Sequence, residues 1–235
     1  WYLLRGKGRL AFVVRHLRFI PSLAWRLLRI SLGGIGQFLI ATASWIAVMR
    51  IVAMFGSPAI AAFTIALRAM EFIFLPAWGL GNAAATLVGQ NLGAGKPDRA
   101  ERSAWKASRY NAIFMGVTAV FLVVFAADIT GWFTSDAEVL RIGTHCLQIL
   151  ALGFPLYAVG MVVVQAMNGA GDTETPMTLN LVSFWLVQIP LAFMLATRTA
   201  LGPEGAFIAV VASESLLTVL AVIVFRRGGW KTHAA

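Results

Sequence analysis

The 235 residues are 59% hydrophobic and only 12% charged, with a mean hydropathy of +0.79, against about 25% charged residues in an ordinary soluble domain. That composition cannot supply a water-facing exterior, and the single Cys146 excludes an internal disulfide framework or a cysteine-rich metal site. The net charge of +9 would suit nucleic acid, but the basic residues flank long apolar runs, so anionic lipid headgroups are their expected partner and nucleic acid is not.

Residues 1–30 carry seven Arg or Lys and no acid. They lack the h-region and small-residue cleavage site of a signal peptide. Leu17, Ile20, Ala24, Leu27 and Leu28 recur at helical spacing among Arg15, Arg18, Arg26 and Arg29, which predicts a cytoplasmic linker with a helix lying on the membrane surface. Beginning at Trp1 rather than Met, the chain reads as a fragment or one half of a longer polypeptide. A lobe of six spans is then expected over 31–226, with a tail at 227–235.

The first span is predicted at 31–55 and ends at the turn Gly56-Ser57-Pro58. The second, 59–86, carries Arg68, Glu71 and Pro76. A basic loop follows, with a short surface helix of mixed charge after Pro97. The third span, 108–132, ends at Trp132-Phe133. The fourth, 142–168, contains Pro155; the fifth, 176–197, contains Pro190; the sixth, 205–225, contains Glu214. Each run approaches or exceeds the roughly 20 residues that a helix needs to cross the hydrocarbon. None shows the alternation of a membrane barrel. The three prolines are expected to kink or unwind their spans.

Six spans put both termini on one side. Fifteen of the 19 Lys and Arg then share that side, in clusters from Arg5 to Arg29, Lys96 to Arg109 and Arg226 to Lys231. Only Arg141 and Arg198 lie on the other, and Arg50 and Arg68 lie within spans. Basic residues collect on cytoplasmic loops, so both ends are expected in the cytoplasm of a bacterium, with the spans in its inner membrane. Trp25, Trp105, Trp132 and Trp230 fall near span ends, where interfacial aromatics belong.

No arrangement for catalysis or metal binding is visible. His16, His145 and His233 are scattered, and Cys146 reads as an inert span-edge residue. No cofactor is expected. The loop Gly89 to Lys96 fails as a phosphate loop, because its spacing is one residue too long and Pro97 replaces the magnesium-binding Ser or Thr. Its glycines are expected to end the second helix and turn the chain.

Arg68 and Glu71, three residues apart, can pair on one helix face, with Arg50 at a depth from which to approach. Ionisable groups in mid-membrane face a partner or a wet cavity. The pair is therefore either a structural lock between helices or part of proton coupling or cation binding. Glu214 has no basic partner on its own helix. It is either satisfied by another span's hydroxyl or Arg, or open to a cavity. Gln37, Thr42, Ser44, Asn82, Gln165, Asn168, Asn180, Ser183 and Gln188 form a polar set large for packing alone, and part of it is expected to face water.

The run Leu80 to Ala100 reads G-x-x-x-A-x-x-V-G-Q-N-x-G-A-G-x-P-x-x-A from Gly81 onward. It strongly resembles the loop that ends the second helix of each half in the multidrug and toxic compound extrusion (MATE) transporters. Asn168-Gly169-Ala170-Gly171-Asp172-Thr173, Pro190-Leu191-Ala192 and Phe225 to Trp230 match further landmarks over about 30–230. On this resemblance the family-motif loop residues are Gly89, Gln90, Gly93, Gly95, Gly169, Gly171 and Asp172. The fold implied is an all-α integral membrane protein, a six-transmembrane-helix bundle forming the C-terminal lobe of a two-lobe transporter.

The function implied is antiport of small organic compounds, often cationic, against H+ or Na+, with an N-terminal six-helix half as the partner lobe. Some branches of the family carry acids in the first and fourth spans of this lobe. Here Gln37 and Ala41 stand in the first, and Tyr157 takes the fourth-span position, which puts coupling at that site in doubt. Asn168 also replaces the family's usual Arg. Gln37, Arg50, Arg68, Glu71, Tyr157, Asn180 and Glu214 are the candidate cavity or coupling residues. Rival readings are a lipid-linked precursor flippase of the same superfamily and a non-transporting membrane scaffold.

Overall fold

In hydrocarbon every backbone N–H and C=O needs an internal partner, and apolar runs of this length meet that need as helices. The structure is a computed structural model describing residues 20–232. The expectations for His16, His233 and the basic residues from Arg5 to Arg18 lie outside the described residues. Helix α1 spans Pro21–Ala53, α2 Ser57–Gly93, α3 Pro97–Gly131, α4 Ala137–Leu152, α5 Phe154–Gly169, α6 Glu174–Asn180, α7 Ile189–Arg198 and α8 Pro203–Arg227. A π-helical segment, Leu181–Gln188, joins α6 to α7, and a 3-10 turn, Gly229–Thr232, follows α8. Among the described residues five helical runs are each long and apolar enough to cross a membrane, and α4 with α5, bent by 54°, makes six when the pair is taken as one span. The protein is a multi-pass, all-α membrane protein.

Proline sets most of the starts. Pro21, Pro58, Pro97, Pro155 and Pro203 all stand in a first turn, where the missing N–H has no helical acceptor to lose. Two expected boundaries are absent. α1 begins at Pro21 and runs unbroken into the first span, so no separate surface helix ends at residue 30 among the described residues. The expected surface helix after Pro97 is likewise continuous with the third span. Ala100, Ala104, Ser108, Asn111 and Met115 keep one buried face through the junction, and nothing there interrupts the helical period.

The three mid-span prolines act differently. α2 runs through Pro76 as one helix. Around Pro155 the fourth span breaks at Gly153 and bends by 54°. Ahead of Pro190 the fifth span widens into the π segment, which relieves the clash of a proline ring with the carbonyl four residues earlier. A further distortion sits at Phe125 (φ −101°, ψ 15°). Two residues before it, the Val123 carbonyl accepts a hydrogen bond from Gln148 Nε2 at 3.3 Å.

The core holds Phe63, Phe154 and Phe207 toward one end of the lobe and Val88, Phe225 and Trp230 toward the other. Phe38, Phe72, Val117 and Leu152 are among the large apolar side chains left exposed, as a lipid-facing surface requires. Trp25 and Trp132 are exposed at helix ends, as interfacial aromatics should be. Trp230 is not: it folds back, stacks on Phe225 with centroids 4.5 Å apart, and donates from Nε1 to the Phe225 carbonyl at 2.8 Å.

Candidate functional site

The motif glycines perform two separate tasks. Gly95 (φ 68°) and Gly171 (φ 86°) adopt the left-handed conformation that closes a helix. In each case the next residue's N–H reaches back: Lys96 to the Asn91 carbonyl at 2.8 Å, and Asp172 to the Met167 carbonyl at 3.1 Å. These are Schellman caps. Gly93 is the last residue of α2, whereas Gly89 lies a turn inside it and does not end it. Gly89 and Gly169 let α2 and α5 touch, since a Cβ on Gly169 would lie 2.2 Å from the Ala85 carbonyl oxygen. Gln90 is exposed near the end of α2. Asp172 accepts from the Thr175 N–H at 3.1 Å and so holds the turn into α6.

A chain of amides ties three spans together and reaches the turn before α6. Gln37 Nε2 donates to Asn168 Oδ1 and to the Thr173 carbonyl, both at 3.0 Å. Asn168 Nδ2 donates to Gln165 Oε1 at 2.9 Å and back to Gln37 Oε1 at 3.2 Å. Gln165 Nε2 donates to Asn82 Oδ1 at 3.0 Å. Asn168, unexplained in the sequence, is the centre of this network. Gln37 belongs to the same network rather than to the cavity walls described below.

A second network is fully buried. Gln188 Nε2 donates to Ser44 Oγ at 3.0 Å, and Ser213 Oγ donates to Gln188 Oε1 at 2.7 Å. It links α1, the π segment and α8.

Arg68 and Glu71 pair at 3.0 Å, but their side chains are 66% and 61% exposed. The pair therefore does not lock two helices of this lobe. Arg50 does not join it; it is exposed in the last turn of α1 and makes no ion pair among the described residues, where its charge suits the negative end of the helix dipole. Arg68 and Glu71 belong to a longer feature. Thr64, Arg68, Glu71, Leu75, Gly79, Asn82, Thr86 and Gln90 are all exposed and recur every three or four residues, so they form one stripe along α2. The opposite face of α2 buries Ala59, Ala62, Phe63, Ala66, Met70, Ala77, Gly81, Ala84 and Val88. Small residues of this kind mark packing faces of membrane helices.

Glu214 and Tyr157 come together at a cavity of about 220 Å³ whose walls also include Trp45, Trp78, Asn180 and Phe184. A smaller space of about 30 Å³ adjoins it, sharing Trp45, Tyr157 and Glu214 and extending to Phe74 and the Gly153 bend. No Lys, Arg or His lines either space. Glu214 makes no hydrogen bond or ion pair with any described residue. Trp78 is 52% exposed beside the α2 stripe, so the cavity reaches that face of the lobe. Sequence reasoning passed over Trp45 and Trp78; their signal was a position in mid-span, away from the interfaces that Trp prefers. Among the described residues no group of three or more His, Cys, Asp or Glu could hold a metal ion.

Residues 35–194 match the family model described as MatE. A probable multidrug resistance protein NorM from Mannheimia succiniciproducens is 38% identical over 184 residues, 73% of this chain and 37% of that protein. A protein of the same name from Pasteurella multocida is 32% identical over 176 residues, 73% of this chain and 38% of that one. The multidrug resistance protein MdtK of Photorhabdus laumondii is 27% identical over 239 residues, 98% of this chain and 51% of that one. The chain thus spans about half the length of these relatives or less. Two solved structures share its fold. A crystal structure of MATE in the bent conformation superposes with a TM-score of 0.89 at 18% identity, over 100% of this chain and 52% of that one. The MATE transporter ClbM in complex with Rb+ gives 0.84 at 22%, over 91% and 51%.

Proposed function

The chain belongs to the MatE family, and from that premise we propose that it is the C-terminal lobe of a secondary active transporter. In this reading the transporter exports small organic compounds, cations among them, in exchange for H+ or Na+. The carrying observation is the α2 stripe. The helix has 37 residues and is about 55 Å long at 1.5 Å per residue, so Arg68, Glu71, Gly79 and Asn82 fall within about 10 Å of its middle. An ionisable pair at that depth is unstable against lipid tails, costing a few kcal/mol per charge on insertion scales. It needs water or protein opposite. A second six-helix bundle enclosing a wet central cavity supplies both, and relatives about twice as long have room for it. Alternating access then comes from one bundle moving against the other, with the amide network keeping this lobe a single body. The cavity at Glu214 has an acid and no Lys, Arg or His in its lining, and Arg68 is offset by Glu71, which supports efflux of a cation over flipping of an anionic lipid-linked precursor.

The orientation proposed has the loop at Lys96 and the turn at Lys231 in the cytoplasm of a bacterium, with Asp136 and Gly202 outside, in the inner membrane. Its support is the distribution of basic residues.

The test is efflux of a fluorescent organic cation from vesicles holding the chain alone or together with the first six-helix half of a MatE relative. Efflux driven by an ion gradient is expected only with both. In that assembly Gly79→Cys should react with a water-soluble maleimide, and Val117→Cys on the lipid face of α3 should not. Ion-driven efflux by the chain as a monomer, or a Gly79→Cys as inert as Val117→Cys, would overturn the reading.

A further inference from the structure

We propose that the outward face of α3 is a binding site for one anionic phospholipid. Arg102, Lys106 and Arg109 hold its phosphate, and an acyl chain lies in the apolar notch beside Gly116. The site is separate from the Glu214 cavity and does not rest on the two-lobe reading. The orientation proposed above decides only which leaflet supplies the lipid, the cytoplasmic one.

Arg99, Arg102, Lys106 and Arg109 recur every three or four residues and are all exposed, so they form one stripe along α3. The opposite side of the helix buries Ala100, Ala104, Ser108 and Asn111. None of the four cations has an ion-pair partner among the described residues. The nearby acids are engaged elsewhere, since Lys231 takes both Asp98, at 3.9 Å, and Glu101, at 2.6 Å. Arg102 Nε donates to the Asp98 carbonyl at 3.2 Å, which leaves its terminal nitrogens for an acceptor from outside. The Arg226 guanidinium lies over the Trp105 ring at 5.6 Å and adds a fifth cation at the flank. Guanidinium groups grip phosphate oxygens through paired hydrogen bonds, and each basic residue at a bilayer surface adds to the attraction for anionic lipid.

Along this face the residues follow the order of a lipid, charge first and hydrocarbon after. Tyr110 is exposed just beyond Arg109, as suits the headgroup level, and no charge follows until Asp128. Ile113, Val117, Val120 and Val124 continue the stripe as exposed apolar side chains. Beside them is a notch of about 300 Å³. Its walls are Gly116, Ala119 and Val123 of α3, with Ala151, Leu152 and Pro155 at the bend between α4 and α5. At 1.5 Å per residue Gly116 to Val120 lie about 10–16 Å below Arg109, and one leaflet takes half of the roughly 30 Å hydrocarbon core. A tail anchored at Arg109 therefore reaches the notch within its own leaflet. A free phosphate would use the cations and leave the notch unfilled, so the two features together select a phosphate that carries a tail.

The probe is dioleoylphosphatidylglycerol, added in steps to the purified chain in non-ionic detergent and counted by native mass spectrometry. Dioleoylphosphatidylcholine and glycerol phosphate, a headgroup without tails, are the comparisons. The first phosphatidylglycerol should bind at least about fivefold tighter than the first phosphatidylcholine, the gain expected from one basic residue at a bilayer surface. Excess glycerol phosphate should not displace it. Lys106→Gln/Arg109→Gln should abolish the preference. Gly116→Leu fills the notch without a clash, since nothing lies within 4 Å of a Cβ there, and should weaken binding about threefold or more. Arg50→Gln/Arg198→Gln removes the same charge from exposed positions at the other end of the lobe and should change nothing. Circular dichroism reports whether each variant is folded; if the Lys106/Arg109 double change is not, Arg102→Gln takes its place. Equal binding of the two lipids, or displacement by glycerol phosphate, would sink the site. So would a folded Gly116→Leu protein that binds within twofold of the parent, because charge attraction alone would then account for the preference. No transport is measured, so either outcome leaves the two-lobe reading to its own test.

Discussion

Adding one methyl group at Gly169 should unfasten α2 from α5. A Cβ built there lies 2.2 Å from the Ala85 carbonyl oxygen, 2.6 Å from its Cα and 2.7 Å from its carbonyl carbon, whereas ordinary contact begins near 3.4 Å. All three neighbours are backbone, so no rotamer change can clear the space, and the helices must part by roughly 1 Å. Interiors are packed too tightly to absorb this without loss of neighbouring contacts, and overpacking costs about 1–3 kcal/mol. The upper end applies, because parting the helices also stretches the Gln165–Asn82 hydrogen bond between them. At about 2–4 °C per kcal/mol for a chain of this size, Gly169→Ala should lower the Tm of the purified protein in detergent by about 6–12 °C.

Gly93→Ala is the matched control. It lies at the end of α2 with nothing within 4 Å of its would-be Cβ, and alanine is the better helix former by up to about 1 kcal/mol. Its Tm should stay level or rise slightly. A Gly169→Ala protein melting within about 2 °C of the parent, or a Gly93→Ala protein equally damaged, would refute the steric reasoning.

Trp230→Ala removes a fully packed ring and its hydrogen bond, and should cost about 3–5 kcal/mol, measured as loss of Tm in the same assay. Arg68→Met/Glu71→Leu and the single Glu71→Gln should each change the stability of the chain alone by less than about 1 kcal/mol, since the pair is exposed. A loss of several kcal/mol would mean the pair is buried after all. For Gln37→Ala and Asn168→Ala a double-mutant cycle should give a coupling of about 1 kcal/mol, the range of interhelical hydrogen bonds in membranes. A coupling near zero would mean the amides act independently.

How far the sequence revealed this arrangement differs from residue to residue. Span number and membrane class follow from charge and hydropathy alone, because lipid leaves few alternatives. The start of α2 was legible at Gly56-Ser57-Pro58, where the turn chemistry is local. The separate surface helix expected after Pro97 is absent because a change in charge does not by itself end a helix. The buried Ala100, Ala104 and Ser108 show the helical period already running through it. For Arg68 and Glu71 the three-residue spacing predicts pairing but not where the pair points. That direction was written on the other side of α2, in Ala59, Ala62, Ala66 and Ala77, the small residues that pack. The meeting of Glu214 with Tyr157 was not legible at all. It depends on α5 and α8 being neighbours and on the 54° bend at Gly153, both consequences of packing over long separations.

The α2 stripe and the Glu214 cavity are joined by geometry. Trp78 and Asn82 are one helical turn apart on α2. Trp78 forms the rim of the Glu214 cavity, and Asn82 belongs to the stripe while accepting from Gln165, another cavity wall. A second bundle seated on the stripe therefore covers the mouth of the cavity, and a bundle that swings away uncovers it. The contents of the cavity would be enclosed in one arrangement and free to leave in the other, with no change needed inside this lobe. The rigidity of the amide network thus favours alternation by whole-lobe movement, because Gln37, Asn82, Gln165 and Asn168 would have to exchange partners together for the cavity to open from within.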